Sequence, residues 1–418
     1  MLNINSLGTK SYNNIFLISS LLFVCLSLSM FSPILSYLFS ILFLILFNNK
    51  LSKVNLLRWG YVLVVAYSLL LIYSSRSFEN ELISDLSRYF YEYTKMVKMD
   101  IDEYIIFGDG LELGYHVLYT AVAYFLPNIK PIDLAICNVL ITLVLFYIWI
   151  ESYLFINDEY KNDKAIICAL IFIFFAFVSI GYLQRQALSI VFLLYALSAK
   201  RFTSFMIFAS LSTVFHLTSL PLIIIYKFLA RFRLSFSRML FFLILFILTS
   251  LLIRYYFYEL ISLVISSGVS IPGIHKLNFY SEFNFSVLSV KNLILNLLLL
   301  SMLVLNWNRV DLFWRNIILF SMATYFVFLG IPLLSERTNF ILFFLYGFFF
   351  YLVSIKTSSN IFNRRLYTSF ILLYFSLDCF KSVVMAISGN YEYWNEFDFI
   401  GYYPFYYWWS MASILSLM

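Results

Sequence analysis

The sequence predicts an all-α polytopic integral membrane protein, with about 12 to 14 transmembrane or re-entrant helices if each span needs ~20 apolar residues. Composition is the first observation: 62% of the 418 residues are hydrophobic and 12% are charged, where a soluble globular domain carries ~25% charged residues. Mean hydropathy, at +0.89, is the second. The third is that apolar runs recur from residue 14 to 418 with no long polar insert, so residues 1–418 read as a single membrane domain. The net charge of +6 collects in short basic loops. That makes it an orientation signal and argues against nucleic acid as a partner. Cys25, Cys137, Cys168 and Cys379 lie inside apolar runs without CxxC or Cys/His spacing, so no disulfide framework, metal site or cofactor is expected.

Taken in order, residues 14–30 and 33–47 are two apolar runs divided at Ser32-Pro33. The first lacks a small-residue cleavage site and more spans follow at once, so it reads as a retained span and not a signal peptide. The loop 48–58 holds Lys50, Lys53 and Arg58 and no acid. By the positive-inside rule it is cytoplasmic, and the N-terminus with it. A third span, 57–75, leads to a polar stretch from Arg76 to Gly110 with four basic and eight acidic residues, net −4. The segment 76–131 is therefore expected to be an extracytoplasmic loop. Within it Asp85, Arg88 and Tyr89 fall at i, i+3 and i+4, one face of a helix. Residues 111–127, LELGYHVLYTAVAYFLP, are apolar but short for a span and carry Glu112 and His116. They predict a helix lying in the outer interface.

Spans at 132–156 and 165–183 are divided by the polar loop 157–164. Parity then puts Arg185 outside, Lys200-Arg201 inside, His216 outside, and Lys227, Arg231, Arg233 and Arg238 inside. This requires 202–229 to turn back near His216 as two short helices; the alternative is one long span with His216 at its middle. A span at 239–258 precedes a second extracytoplasmic loop, 259–290, marked by Gly268 and Pro272-Gly273. Further spans are expected at 291–307, 316–334, 337–355 and 367–389, with Lys356, Arg364 and Arg365 inside. The aromatic stretch YEYWNEFDFIGYYPFYYWWS forms an interface belt before a short last span.

Arg185 and His216 are the first pointers to a site. An Arg at membrane depth costs about 2.5 to 3.5 kcal/mol on insertion scales, so it normally faces a polar cavity and acts there. The plainer readings are that Arg185-Gln186 snorkels to headgroups at a helix end and that His216 bonds a backbone carbonyl near Pro221. Asp85, Arg88 and Glu112 also read as solvated loop charges, and His116 and His275 as structural.

Four motifs together resemble a known family. They are Asp85-x3-Tyr89, Glu112-x-Gly114-Tyr115, Arg185-Gln186-Ala187-Leu188 and Phe215-His216-x-Thr218-Ser219, with a weaker echo at Ser335-Glu336-Arg337. In this order they look like the EpsG-like branch of the Wzy-type O-antigen and polysaccharide polymerases. The family usually has Pro where this chain has Leu113, and Ser where it has Thr218. The resemblance implies a multi-pass enzyme of the bacterial inner membrane with its site facing the periplasm or exterior. Such an enzyme joins undecaprenyl-diphosphate-linked repeat units into O-antigen, capsule or exopolysaccharide, without a nucleotide sugar. Its partners are these lipid-linked glycans, membrane lipids, a chain-length regulator and a flippase. A flippase of lipid-linked oligosaccharide and an O-antigen ligase are the alternative functions. On the polymerase reading Arg185, Arg88 and Arg337 clamp the diphosphate, because the planar guanidinium binds phosphate bidentately. His216, Glu112 or Asp85 takes or orients the acceptor's proton. Gln186, Tyr89 and Tyr182 line the sugar path.

Overall fold

The computed structural model describes residues 9–74, 85–98, 112–175, 180–181, 183–229, 290–328 and 338–357, with isolated positions between 233 and 266 and at 335 and 369. The side chains of 9–14, 73–74, 85–88, 132 and 290–291 are not among those described. Residues 76–84 and 99–111 of the expected loop 76–131, residues 267–289 of the expected loop 259–290, most of the span 239–258, the span 367–389 apart from Ser369, and the C-terminal belt fall outside the described residues. All regular structure among the described residues is helical. Two helical stretches, Asn55–Ile72 and Asp133–Leu154, are long and apolar enough to cross a membrane. The other apolar helices with described side chains are shorter, such as Pro33–Leu46 and Phe202–Phe215.

Contacts divide the chain into two compact units interleaved in sequence: Met1–Ile101, Tyr119–Gln184 and Phe370–Met418 form one, Asp102–Leu118 and Arg185–Ser369 the other. The first unit contains α1 (Thr9–Phe31), α2 (Pro33–Leu46), α3 (Asn48–Leu51), α4 (Asn55–Ser74) and α5 (Asp85–Val97). It also takes the second half of α6 (Leu113–Phe125), α7 (Pro131–Trp149) and α8 (Lys164–Ile173). α1 ends where expected, because Ser32 accepts a bond from the Leu35 amide and Pro33 occupies the first turn of α2. α2 then packs on α1, α4 and α8. Small hydroxyls stitch these apolar helices together: Ser36 Oγ donates to the Cys25 carbonyl at 2.7 Å and Ser68 Oγ lies 3.0 Å from Ser36 Oγ. Tyr61 donates to the Ile18 carbonyl and Tyr37 to the Phe172 carbonyl.

Two readings of the first unit change. Arg58, counted above among the bases of the 48–58 loop, is fully buried and bound by Glu151 through Nε and Nη2, the latter 2.9 Å from each carboxylate oxygen. Its Nη1 donates to the Leu51 and Ser52 carbonyls at 3.3 Å. Glu151 is supplied by a π-helical turn, Ile150–Leu154, at the end of α7, and also accepts from Tyr147. Of the three bases in that loop, Lys50 and Lys53 remain exposed. The span expected over 165–183 is instead a helix that stops at Ile173, where Phe174 leaves helical geometry (φ −97°, ψ 4°). There Phe175 stacks on Phe146 of α7 at 5.7 Å, so aromatic packing overrides the apolar run. The start of α8 is capped from a distance: Asn48 Oδ1 accepts from the Ile166 amide and Ser52 Oγ from the Ala165 amide.

The second unit contains the first half of α6, then α9 (Gln184–Ser198) from Arg185 onward, α10 (Phe202–Phe215), α11 (Ser219–Leu229), α12 (Val290–Leu305), α13 (Leu312–Val327) and α14 (Phe340–Phe350). Residues 202–229 form two short helices with a break at His216, the first of the two arrangements considered above. Polar side chains again join apolar helices: Tyr226 to Ser321 at 3.1 Å, Tyr346 to Asn296 at 2.7 Å, Thr324 to Asn339 at 2.7 Å, and Asn316 to the Leu229 carbonyl at 2.7 Å. α14, FILFFLYGFFF, is buried throughout.

The Arg58–Glu151 pair makes a stability prediction. Removing one partner of a buried pair leaves a charge unmatched, so Glu151→Ala is expected to cost about 3 kcal/mol, the low end for such pairs because two carbonyls still serve Arg58. Equilibrium unfolding in detergent checks this, and Arg58→Met with Glu151→Leu should recover most of the loss. A single-variant cost below about 1 kcal/mol would place the pair with exposed ion pairs instead.

Candidate functional site

Three of the four motifs meet in the second unit at one carboxylate. Glu112 stands just before α6 and is 3% exposed. Its Oε2 is paired with Nη1 of Arg185, the second residue of α9 and 73 positions away. Its Oε1 lies 2.8 Å from His216 Nδ1 and accepts from the Leu217 amide at 3.1 Å. The Arg185 and His216 side chains are each 15% exposed, so the cluster opens toward its surroundings on their side and not at Glu112.

The chain builds this junction locally. α10 ends at Phe215, and His216 caps it in an extended conformation with its amide bonded to the Ser212 carbonyl. The His216 carbonyl accepts from both the Ser219 amide at 3.0 Å and Ser219 Oγ at 2.8 Å. That fixes the turn into α11 and gives the Ser219 of the motif a job. On α9, Arg185, Ser189 and Phe192 fall at i, i+4 and i+7, one face of the helix. That face meets α10: Ser189 and Ser212 exchange hydroxyl-to-carbonyl bonds at 2.9 and 2.7 Å, and Phe192 stacks on Phe215 at 5.5 Å. The same Phe215 ring lies against Gly114, where an added Cβ would come within 3.0 to 3.1 Å of ring carbons. The glycine two residues after Glu112 is therefore there to admit Phe215.

Burial works against ionisation of Glu112, but the hydrogen bond and charge of His216, the charge of Arg185 and the Leu217 amide outweigh it and hold its pKa down to about 2. The carboxylate is thus ionised at neutral pH. The cluster offers a guanidinium suited to an anion and an imidazole suited to a proton, both anchored on one acid. Among the described residues no group of His, Cys, Asp and Glu is arranged to hold a metal ion.

Of the other candidates, Gln186 is buried on α9 at 5% exposure, and His116, read above as structural, is buried on α6, where the charge of Arg185 acts on it. Tyr89 is buried in the first unit at 2% exposure. Asp85 and Arg88 lie on α5, the helix that their spacing predicts, but their side chains are outside the described residues, as are Tyr182, His275 and Arg337 altogether. Sequence reasoning missed Ser189, Phe192 and Ser212, for which the only signal is their helical spacing from Arg185 and His216. It also missed a buried network in the first unit, where Gln184 Oε1 accepts from Asn138 at 2.8 Å and Tyr119 at 3.1 Å.

No protein-family model, curated protein or solved structure matches this chain.

The Gly114 contact predicts that Gly114→Ala overpacks the junction, since the Phe215 ring is backed by Phe192. The expected cost is about 1 to 3 kcal/mol in unfolding free energy. Gly114→Ala with Phe215→Leu should be less destabilised than the sum of the two single variants; simple additivity would show that the two residues are not in contact.

Proposed function

We propose that this chain is a polytopic inner-membrane polymerase of the Wzy type, EpsG-like branch, which joins undecaprenyl-diphosphate-linked repeat units on the outer side of the membrane. The observation that carries the reading is that Glu112 holds Arg185 and His216, residues from three motifs far apart in sequence, at one point. The membrane part of the proposal is supported by large apolar side chains turned outward on many helices. Phe16, Leu46, Leu56, Leu63, Phe202 and Phe228 are all more than 60% exposed, as a lipid-facing surface requires.

The proposed chemistry follows from the charges. The acceptor's hydroxyl oxygen bonds the anomeric carbon of the donor glycan as the carbon–oxygen bond to the diphosphate breaks. The hydroxyl proton goes to His216, and the electron pair leaves with undecaprenyl diphosphate. Negative charge grows on the leaving phosphate, and the Arg185 guanidinium is the group to meet it. No nucleotide sugar and no cofactor enters.

The test is Arg185→Lys in cells deleted for the chromosomal copy, read as a glycan ladder beside the level of inserted protein. Lysine keeps the charge but loses the planar fork, so the ladder should collapse to single capped repeat units, a loss of about 100-fold or more in extension. A normal ladder from Arg185→Lys would overturn the clamp. If the deletion itself leaves no repeat unit outside the membrane, the chain is a flippase; if it leaves long but unattached chains, it is a ligase.

A further inference from the structure

We propose that Glu112 is the positioning residue of His216: it holds the ring proton on Nδ1 and so presents Nε2 as the lone pair that receives a proton. The proton's source, an acceptor sugar hydroxyl, rests on the polymerase reading; the tautomer does not.

Both oxygens of Glu112 are already engaged. Oε1 takes the Leu217 amide at 3.1 Å and faces His216 Nδ1 at 2.8 Å, while Oε2 takes Arg185. An ionised carboxylate only accepts, so the nitrogen facing it must carry hydrogen. A neutral imidazole has one ring proton, and with that proton on Nδ1 the other nitrogen is bare. Among the described residues no group is hydrogen-bonded to Nε2 of His216.

The backbone that carries the ring is held in place. The His216 backbone is pinned on one side by the Ser212 carbonyl and on the other by Ser219. Glu112 cannot rotate away either, because Arg185 and the Leu217 amide hold its two oxygens from different directions. The same engagement makes Glu112 a poor base itself, since three donors already occupy it and its pKa is held at about 2. The acid therefore acts through His216 and does not touch substrate. In the transfer step the hydroxyl proton moves to Nε2, the imidazolium keeps both protons, and Glu112 stabilises it without being protonated.

The experiment is 15N NMR on the full-length protein labelled at histidine and held in lipid nanodiscs. The chain has three histidines, and His216→Gln identifies the signals of interest. The expected wild-type spectrum shows a pyrrole-type Nδ1 and a pyridine-type Nε2 for the neutral His216 ring. A pyrrole-type Nε2 in the neutral ring overturns the proposal. Glu112→Leu should then release the proton from Nδ1 and reduce chain extension on lipid-linked repeat units by about 100-fold or more, the scale of general base catalysis. Extension at the wild-type rate by Glu112→Leu also overturns it. If the wild-type tautomer is the one expected but wild-type protein extends no lipid-linked unit, the polymerase reading fails and the positioning of His216 by Glu112 stands.

Discussion

The second unit depends on how one buried negative charge is compensated. A carboxylate removed from water costs several kcal/mol unless positive charge and donors surround it, and Glu112, 3% exposed, has Arg185, His216 and the Leu217 amide around it. Each donor comes from a different segment: the start of α9, the end of α10 and the turn into α11. The need to satisfy Glu112 therefore fixes where three helix ends meet. Packing below it, through Gly114, Phe215 and Phe192 and through the Ser189–Ser212 exchange, holds those ends at the required spacing.

The first unit uses the same device for a different end. Arg58 and Glu151 are also a compensated buried pair, but both oxygens of the acid and most donors of the base are consumed within the protein. Nothing there is left to act on a ligand, and the pair serves to tie α4 to the π turn after α7. The two clusters differ in which member reaches the surroundings: in the first Arg58 is fully buried and the acid Glu151 retains 18%, whereas in the second the acid is buried and Arg185 and His216 each retain 15%. In helices this apolar, side-chain hydrogen bonds and close small residues supply the specificity that hydrophobic contrast cannot.

Much of this was legible in the sequence. Apolar runs marked α1, α2, α4, α7, α12 and α14 near their observed limits, whereas α13, Leu312–Val327, starts and ends ahead of the expected 316–334; the turn at His216 followed from charge parity. Arg185, Glu112 and His216 stood out because ionisable residues are rare in such a chain. Their mutual contact was not legible, since nothing in a linear sequence says which base a distant acid will meet. Arg58 shows the limit from the other side: charge counting took it as one of three loop bases, and a π turn 93 residues later supplied its partner. The early stop of α8 at Ile173 likewise depends on Phe175 meeting Phe146, a contact that apolar composition alone does not encode.

The claim on which the account rests is that Glu112 and Arg185 are directly coupled. A double-mutant cycle on unfolding free energy, with Glu112→Gln, Arg185→Gln and the double variant, measures that coupling with the rest of the site intact. Contact predicts an interaction energy of about 1 to 3 kcal/mol, with the double variant markedly less destabilised than the two singles summed. Additivity within about 0.5 kcal/mol would mean the two groups do not meet, and the site described here would not exist.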